Sequence, residues 1–181
     1  ASLLGQFTLK DVNINPRQSL NEPIQIAFAN VDFRLRPDPF TLDIRQLYFE
    51  DQTKDLNAHF AAKVEVDEAG WNLSSQLHTD RILARDVLHY WHPDLKPQNR
   101  DWLDRNVKAG ALRDVNYALK YNPVTGPRTD IAFMFENAEF QILEDYPLLR
   151  NASGLFASRE WRMSLVIDEG VLSAPGSKDV D

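Results

Sequence analysis

The sequence predicts a mainly β protein: a curved antiparallel sheet, trough-like and made of repeated units, with a two-helix insert at about residues 79–109. Three observations predict it. Apolar and polar residues alternate along most of the chain, as they do in strands with one apolar and one wet face. In several strands the alternation changes phase midway, which a β-bulge would cause. Between residues 79 and 109 the period becomes helical.

In the first strand Phe7 and Leu9 give way to Val12 and Ile14, with the reset at Lys10-Asp11. In "IQIAFANVDFRL", Ile24, Ile26 and Phe28 occupy even positions, while Val31, Phe33 and Leu35 occupy odd ones, which places a reset at Ala29-Asn30. Leu42 and Ile44, then Leu47 and Phe49, form a third strand with its reset at Arg45-Gln46. Leu56 to Val66 alternates without interruption, "DEAG" turns the chain, and Trp71, Leu73 and Leu77 continue on the return strand. Thr79 or Asp80 caps a first helix with the stripe Ile82, Leu83, Val87, Leu88 and Trp91, ended by Pro93. A second helix fits "PQNRDWLDRNVKAG", with Pro97 in its first turn, Trp102, Leu103 and Val107 on one side and Gly110 past its end. Strands resume through Leu112, Val115, Tyr117, Leu119 and Tyr121, through "DIAFMFENAEFQIL", through residues 147–158, and through Trp161, Met163, Leu165 and Ile167.

"IAFMFENAEFQIL" repeats the phase reset at an offset of 107, pairing Asn30 with Asn137, and "LRDVNY" matches "LKDVNI" at an offset of 103. The expected organisation is a β unit over residues 1–78, a helical insert over 79–109 and a second β unit over 110–181, together one fragment of a longer protein. Aligned bulges would bend the sheet into a trough with its apolar face inside. The same bulges would also serve to close a sandwich around a side-chain core, and periodicity alone leaves both open.

Composition excludes some functions. A formal net charge of −7 over 181 residues argues against a nucleic-acid groove. Ten prolines, seven glycines and 43% apolar residues describe an ordered globular chain. No apolar run approaches the roughly 18 residues of a membrane span, and no charged-then-apolar leader opens the chain. "ASLLGQFTLKD" reads as a chain entered mid-strand, so an anchor elsewhere in a parent protein stays open. Without cysteine there are no disulfides or thiolate metal sites.

Catalytic constellations are weak. His89 and His92 stand three apart near Asp94, but Pro93 breaks a helix there and no third ligand is evident, so surface histidines are expected. Asp101 and Asp104 flank Trp102-Leu103 on the polar side of a short helix, where they are expected to be solvated. There is no GxSxG, phosphate-cradling glycine loop or HExxH. "NLS" at Asn72 and "NAS" at Asn151 match glycosylation acceptors by letter only. Trp71, Trp91, Trp102 and Trp161 all hold apolar-phase positions and are expected to pack in a core.

The insert and the strands after it carry a resemblance. "YWHPDLKPQNRDWLDRNVKAG" supplies Tyr90, Trp91, Pro93, Arg100, Trp102, Asn106 and Gly110, with His92 standing between Trp91 and Pro93. "FENAEFQILEDYPLLRNASGLF" supplies Phe135, Ala138, Pro147, Leu149, Asn151 and Gly154. Over roughly residues 55–175 the chain resembles AsmA-like, YhdP-related bacterial envelope proteins, whose motif residues here (Trp91, Pro93, Arg100, Trp102, Gly110, Pro147, Gly154) are structural. The resemblance implies a periplasmic segment of a protein anchored in the inner membrane by a part outside this chain and implicated in phospholipid transport and outer-membrane integrity. The expected function is non-enzymatic, with no cofactor and no metal. An apolar trough would shield phospholipid acyl chains, and neighbouring β segments of the parent chain would be partners. The residues expected to line it are Ile26, Phe28, Phe33, Leu35, Phe133, Phe135, Phe140 and Ile142. The alternative is a structural or protein-interaction module with a filled core or a partner strand added at an exposed edge. A third reading is a hydrolase of envelope glycans.

Overall fold

The computed structural model describes residues 1–14, 23–94, 96–143, 146–160 and 162–173. Nine strands form it: β1 (Leu3–Ile14), β2 (Ile24–Pro37), β3 (Phe40–Asp51), β4 (Leu56–Asp67), β5 (Gly70–Leu83), β6 (Val107–Asn122), β7 (Gly126–Phe140), β8 (Leu148–Arg159) and β9 (Arg162–Ser173). They lie in one antiparallel sheet in sequence order, curved and unclosed, so the sandwich alternative falls away. Among the described residues β1 and β9 each have a strand on one side only. The last predicted strand begins at Met163 here, as Trp161 lies outside the described residues.

Cross-strand register shows how the alternation becomes a surface. Phe7 faces Val31, and the row continues through Leu47, Phe60, Leu77, Tyr117, Ile131, Ser158 and Met163, crossing all nine strands. Residues opposite one another share a face, so the alternating pattern of each strand adds to one continuous apolar face.

Register shifts interrupt the ladder between Ile44 and Leu47, Arg113 and Asn116, Phe135 and Ala138, and Arg150 and Ser153. The backbone turns left-handed beside the last three of these interruptions and at the β1 reset, at Asp114 (φ 50°), Asn137 (φ 48°), Asn151 (φ 49°) and Asp11 (φ 53°). Asp and Asn accept that conformation better than other side chains bearing a Cβ. The predicted resets at Lys10-Asp11, Arg45-Gln46 and Glu136-Asn137 therefore coincide with irregular backbone. The one at Ala29-Asn30 does not. Those residues pair regularly with Leu9 and Thr8 on one side and with Phe49 and Tyr48 on the other, and the shift falls between Ile26 and Phe28. The parity argument shows only that the phase changes between 26 and 31, and an apolar Phe28 on the wet face disguised where. Under the offset of 107 the β2 bulge maps to Met134, which is regularly paired, so the β2 and β7 bulges do not align, whereas under the offset of 103 the left-handed Asp11 and Asp114 do.

At the bulges the strands bend toward the apolar face. Phe135 and Phe140 stand on either side of the β7 bulge, five residues and so about 16 Å apart along a straight strand. Their ring centroids are 5.8 Å apart, edge to face. With Ala138, Leu149 and Ala152 they make a buried cluster at the bend, and Leu56, Ile82 and Val115 make another. The sheet thus has a long arm, carrying the β2–β3, β4–β5, β6–β7 and β8–β9 turns, and a short arm beyond the line of bulges.

The helical insert is shorter than its sequence period suggests. Ile82 and Leu83 finish β5 opposite Leu112 and Ala111, and Thr79 is buried in that strand opposite Val115 rather than capping a helix. A 3-10 turn at Ala84–Asp86 leads into a single turn of helix, α1 (Val87–Tyr90), and then α2 (Pro97–Asn106). Pro97 opens α2, where its missing N–H costs nothing. Gly110 lies inside β6 at φ 121°, where an added Cβ would sit 2.7 Å from Ala138 Cα. It allows close backbone approach and does not cap a helix.

α2 crosses the mouth of the trough. At its C-terminal end Asn106 O accepts from Gln141 N at 3.0 Å and Trp102 Nε1 donates to Ile142 O at 3.2 Å. At its N-terminal end Lys96 Nζ donates to Thr129 Oγ1 at 3.0 Å. Residues 129 and 141 would be about 40 Å apart on a straight strand, yet a ten-residue helix of about 15 Å and one lysine side chain connect their surroundings. The two arms therefore face each other, with α2 as a strut between them.

Candidate functional site

The inner face of the sheet is the candidate site. Among the described residues, the register puts a single charged side chain on that face, Asp51 at the end of β3. Asp51 is 1% exposed. Its Oδ1 accepts from Thr53 N (2.9 Å) and Thr53 Oγ1 (2.6 Å), and its Oδ2 accepts from Tyr90 OH (2.7 Å). Burial, followed by the bond to Asp51, holds the Tyr90 phenol far above its ordinary value of 10.0. Lys54 and Asp86 pair nearby at 3.6 Å, so the first half of the insert is latched to the β3–β4 turn. Elsewhere among the described residues the polar groups on the inner face include the hydroxyls of Ser75, Thr79, Tyr117, Tyr121, Thr129 and Ser158. Burial raises the Tyr117 phenol as well.

The expected lining residues separate into three groups. Ile26, Phe33 and Leu35 lie on the inner face of β2, where the Phe33 ring sits 6.1 Å from Phe7. An added Cβ on Gly5 would be 2.4 Å from that ring, so the glycine makes its place. Phe133 also lies inside, stacked on Phe156 at 5.1 Å. Phe135 and Phe140 are on this face but are core, sealed at the bend. Phe28 and Ile142 are corrections. The bulge at Ala27 turns Phe28 to the opposite face, 6.2 Å from Tyr48, and Ile142 follows β7 in the loop that receives Trp102. Phe7, Phe60, Leu77, Tyr117, Ile131 and Phe156 line the face and were not singled out. Each has the right parity, but only cross-strand register shows that they meet.

The outer face carries ion pairs, among them Arg45–Asp32 (3.2 Å), Lys63–Glu65 (2.6 Å) and Arg113–Glu136 (3.1 Å). A broad open depression of about 810 Å³ lies there, bordered by Arg45, Lys120, Asp130 and Arg159. His78 Nδ1 lies 3.1 Å from Asn116 Oδ1 and its Nε2 3.2 Å from Asp80 Oδ1, both oxygens that accept, with His59 beside it. No group of three or more His, Asp or Glu among the described residues is placed to hold a metal. His89 packs on Tyr90, whereas His92 Nδ1 accepts from Asp94 N at 3.1 Å, so the two imidazoles do not converge. Asp101 and Asp104 are exposed.

Trp71, Trp91 and Trp102 are not core, and Trp161 lies outside the described residues. Trp71 is 57% exposed at the long-arm rim against Phe40, Trp102 is exposed on the strut, and Trp91 is half-buried. A single sheet has no second layer to cover rim residues. The motif residues hold the frame: Arg100 Nε donates to Trp91 O at 3.3 Å, and an added Cβ on Gly154 would lie 2.0 Å from Val166 O. Pro93 sits in the turn after α1, and Pro147 immediately precedes β8. Comparison with family models, with curated proteins and with solved structures gives no match to this chain.

Proposed function

We propose that this chain is a non-enzymatic trough that shields lipid acyl chains, a periplasmic segment of an inner-membrane-anchored protein serving phospholipid transport and outer-membrane integrity. The nine-strand row from Phe7 to Met163 carries the reading, because it crosses the whole sheet without a charge. Nine strands at about 4.8 Å spacing give a path of roughly 38 Å, longer than an acyl chain of about 20 Å. Each methylene moved from water to such a face is worth about 0.8 kcal/mol. An interaction module is the second reading. It is favoured by β9, an edge strand exposed on both faces, with Met163 76%, Val171 60% and Leu172 68% exposed.

The test is mass spectrometry of lipid extracted from protein purified out of a bacterial periplasm. Wild type is expected to carry lipid, and Phe33→Asp and Leu165→Asp, which place a carboxylate on the path, to lose it while circular dichroism stays unchanged. Leu155→Asp, on the outer face, is expected to keep it. Folded wild type free of lipid would leave the interaction module as the better reading.

A further inference from the structure

We infer that the trough selects lipids with an anionic head, and that Lys96 is the residue that meets it. The inference rests on the acyl-shielding reading above and names its ligand class. An amphiphile lying on the inner face must bring its head out at the mouth, because among the described residues no charged group on that face is free to receive it. Asp51 is occupied by Thr53 and Tyr90.

Lys96 is held at the mouth. It adopts the left-handed conformation at φ 48°, at the point where the chain turns into α2, and its ammonium reaches across to Thr129 Oγ1 at 3.0 Å. Thr129 is an inner-face residue of the long arm, opposite Leu119, which faces Ser75 in turn. Among the described residues no carboxylate lies within ion-pair distance of Lys96 Nζ, and the side chain is exposed. An ammonium has three donors, and the bond to Thr129 uses one. The side chain is exposed, so the other two are open to a phosphate or carboxylate head, which would form charge-assisted hydrogen bonds there while its chain stays on the sheet.

Calorimetric titration with three probes tests this: dodecyl phosphate, dodecyl maltoside and inorganic phosphate. Wild type is expected to bind dodecyl phosphate most tightly and to give no heat with inorganic phosphate. Lys96→Gln keeps a donor for Thr129 but removes the charge. It is expected to weaken dodecyl phosphate by about tenfold and to leave dodecyl maltoside unchanged. Lys96→Ala should do the same, with circular dichroism reporting that α2 persists. Equal weakening of both detergents would make Lys96 a mere anchor of the strut and overturn the inference, as would unchanged affinity for dodecyl phosphate. Inorganic phosphate binding as tightly as dodecyl phosphate would make it a free-anion site, also against the inference. Wild type that binds neither detergent defeats the trough reading itself.

Discussion

Asp51 and Tyr90 show how single residues hold the insert to the sheet. A carboxylate removed from water is tolerated because three donors surround it, and one comes from 39 residues away. Tyr90→Phe is expected to destabilise the fold by about 1.5–3 kcal/mol, seen as a lower urea midpoint. The pH dependence has a definite sign. The Tyr90 phenol is raised in the folded state, so its contribution is complete below its unfolded value of 10.0 and is lost as pH rises beyond it. Wild type should thus lose stability above pH 10 more steeply than Tyr90→Phe. Gly154 acts through absence. An alanine Cβ there would press on Val166 O at 2.0 Å and on Phe135, so Gly154→Ala is expected to cost about 1–3 kcal/mol and to loosen the β8–β9 pairing. Gly126 has nothing within 4 Å, so Gly126→Ala meets only the left-handed backbone at φ 73° and should cost about 1–2 kcal/mol without touching the pairing. Amide exchange of β9 separates the two. The resemblance named Gly154 as structural, but alternation alone did not show what crowds it, because those atoms lie on neighbouring strands.

Elements were legible where their signals are local. The unbroken alternation of β4, the β3 reset at Arg45-Gln46 and the Pro97 start of α2 all stand as the residues suggest. The start of the insert was misread, because Ile82 and Leu83 fit a helical stripe and a strand equally well and the pairing with Leu112 and Ala111 decides. Phe28 was misread for the same reason, an apolar side chain on a wet face. The strut role of α2 could not be read at all, since it depends on which strand ends the bend brings together. It yields a distance prediction: spin labels at positions 128 and 142 should lie within about 25 Å of each other, the length of α2 plus a side chain. About 40 Å would mean that β7 is straight and the mouth does not exist.

For the whole molecule, the decisive feature is that nine strands in sequence order share one apolar face and are left uncovered along much of it. A domain that buried this face in its own core would not keep Phe7, Trp71, Met163 and Leu172 more than a third exposed. Composition and parity made the two-faced sheet legible. They could not say which aromatics are core and which line the path, because Phe135 and Phe140 on one side of that distinction and Phe33 and Phe133 on the other have the same parity and chemistry. The central claim, that lipid lies on the inner face, is tested most directly by photocrosslinking in cells. A photoreactive residue is placed in turn at inner positions 33, 117 and 165 and at outer positions 28, 59 and 155, and crosslinked lipid is read by mass spectrometry. Lipid adducts at the three inner positions and none at the three outer ones is the result expected. Adducts spread equally over both faces, or absent from the inner one, would contradict it.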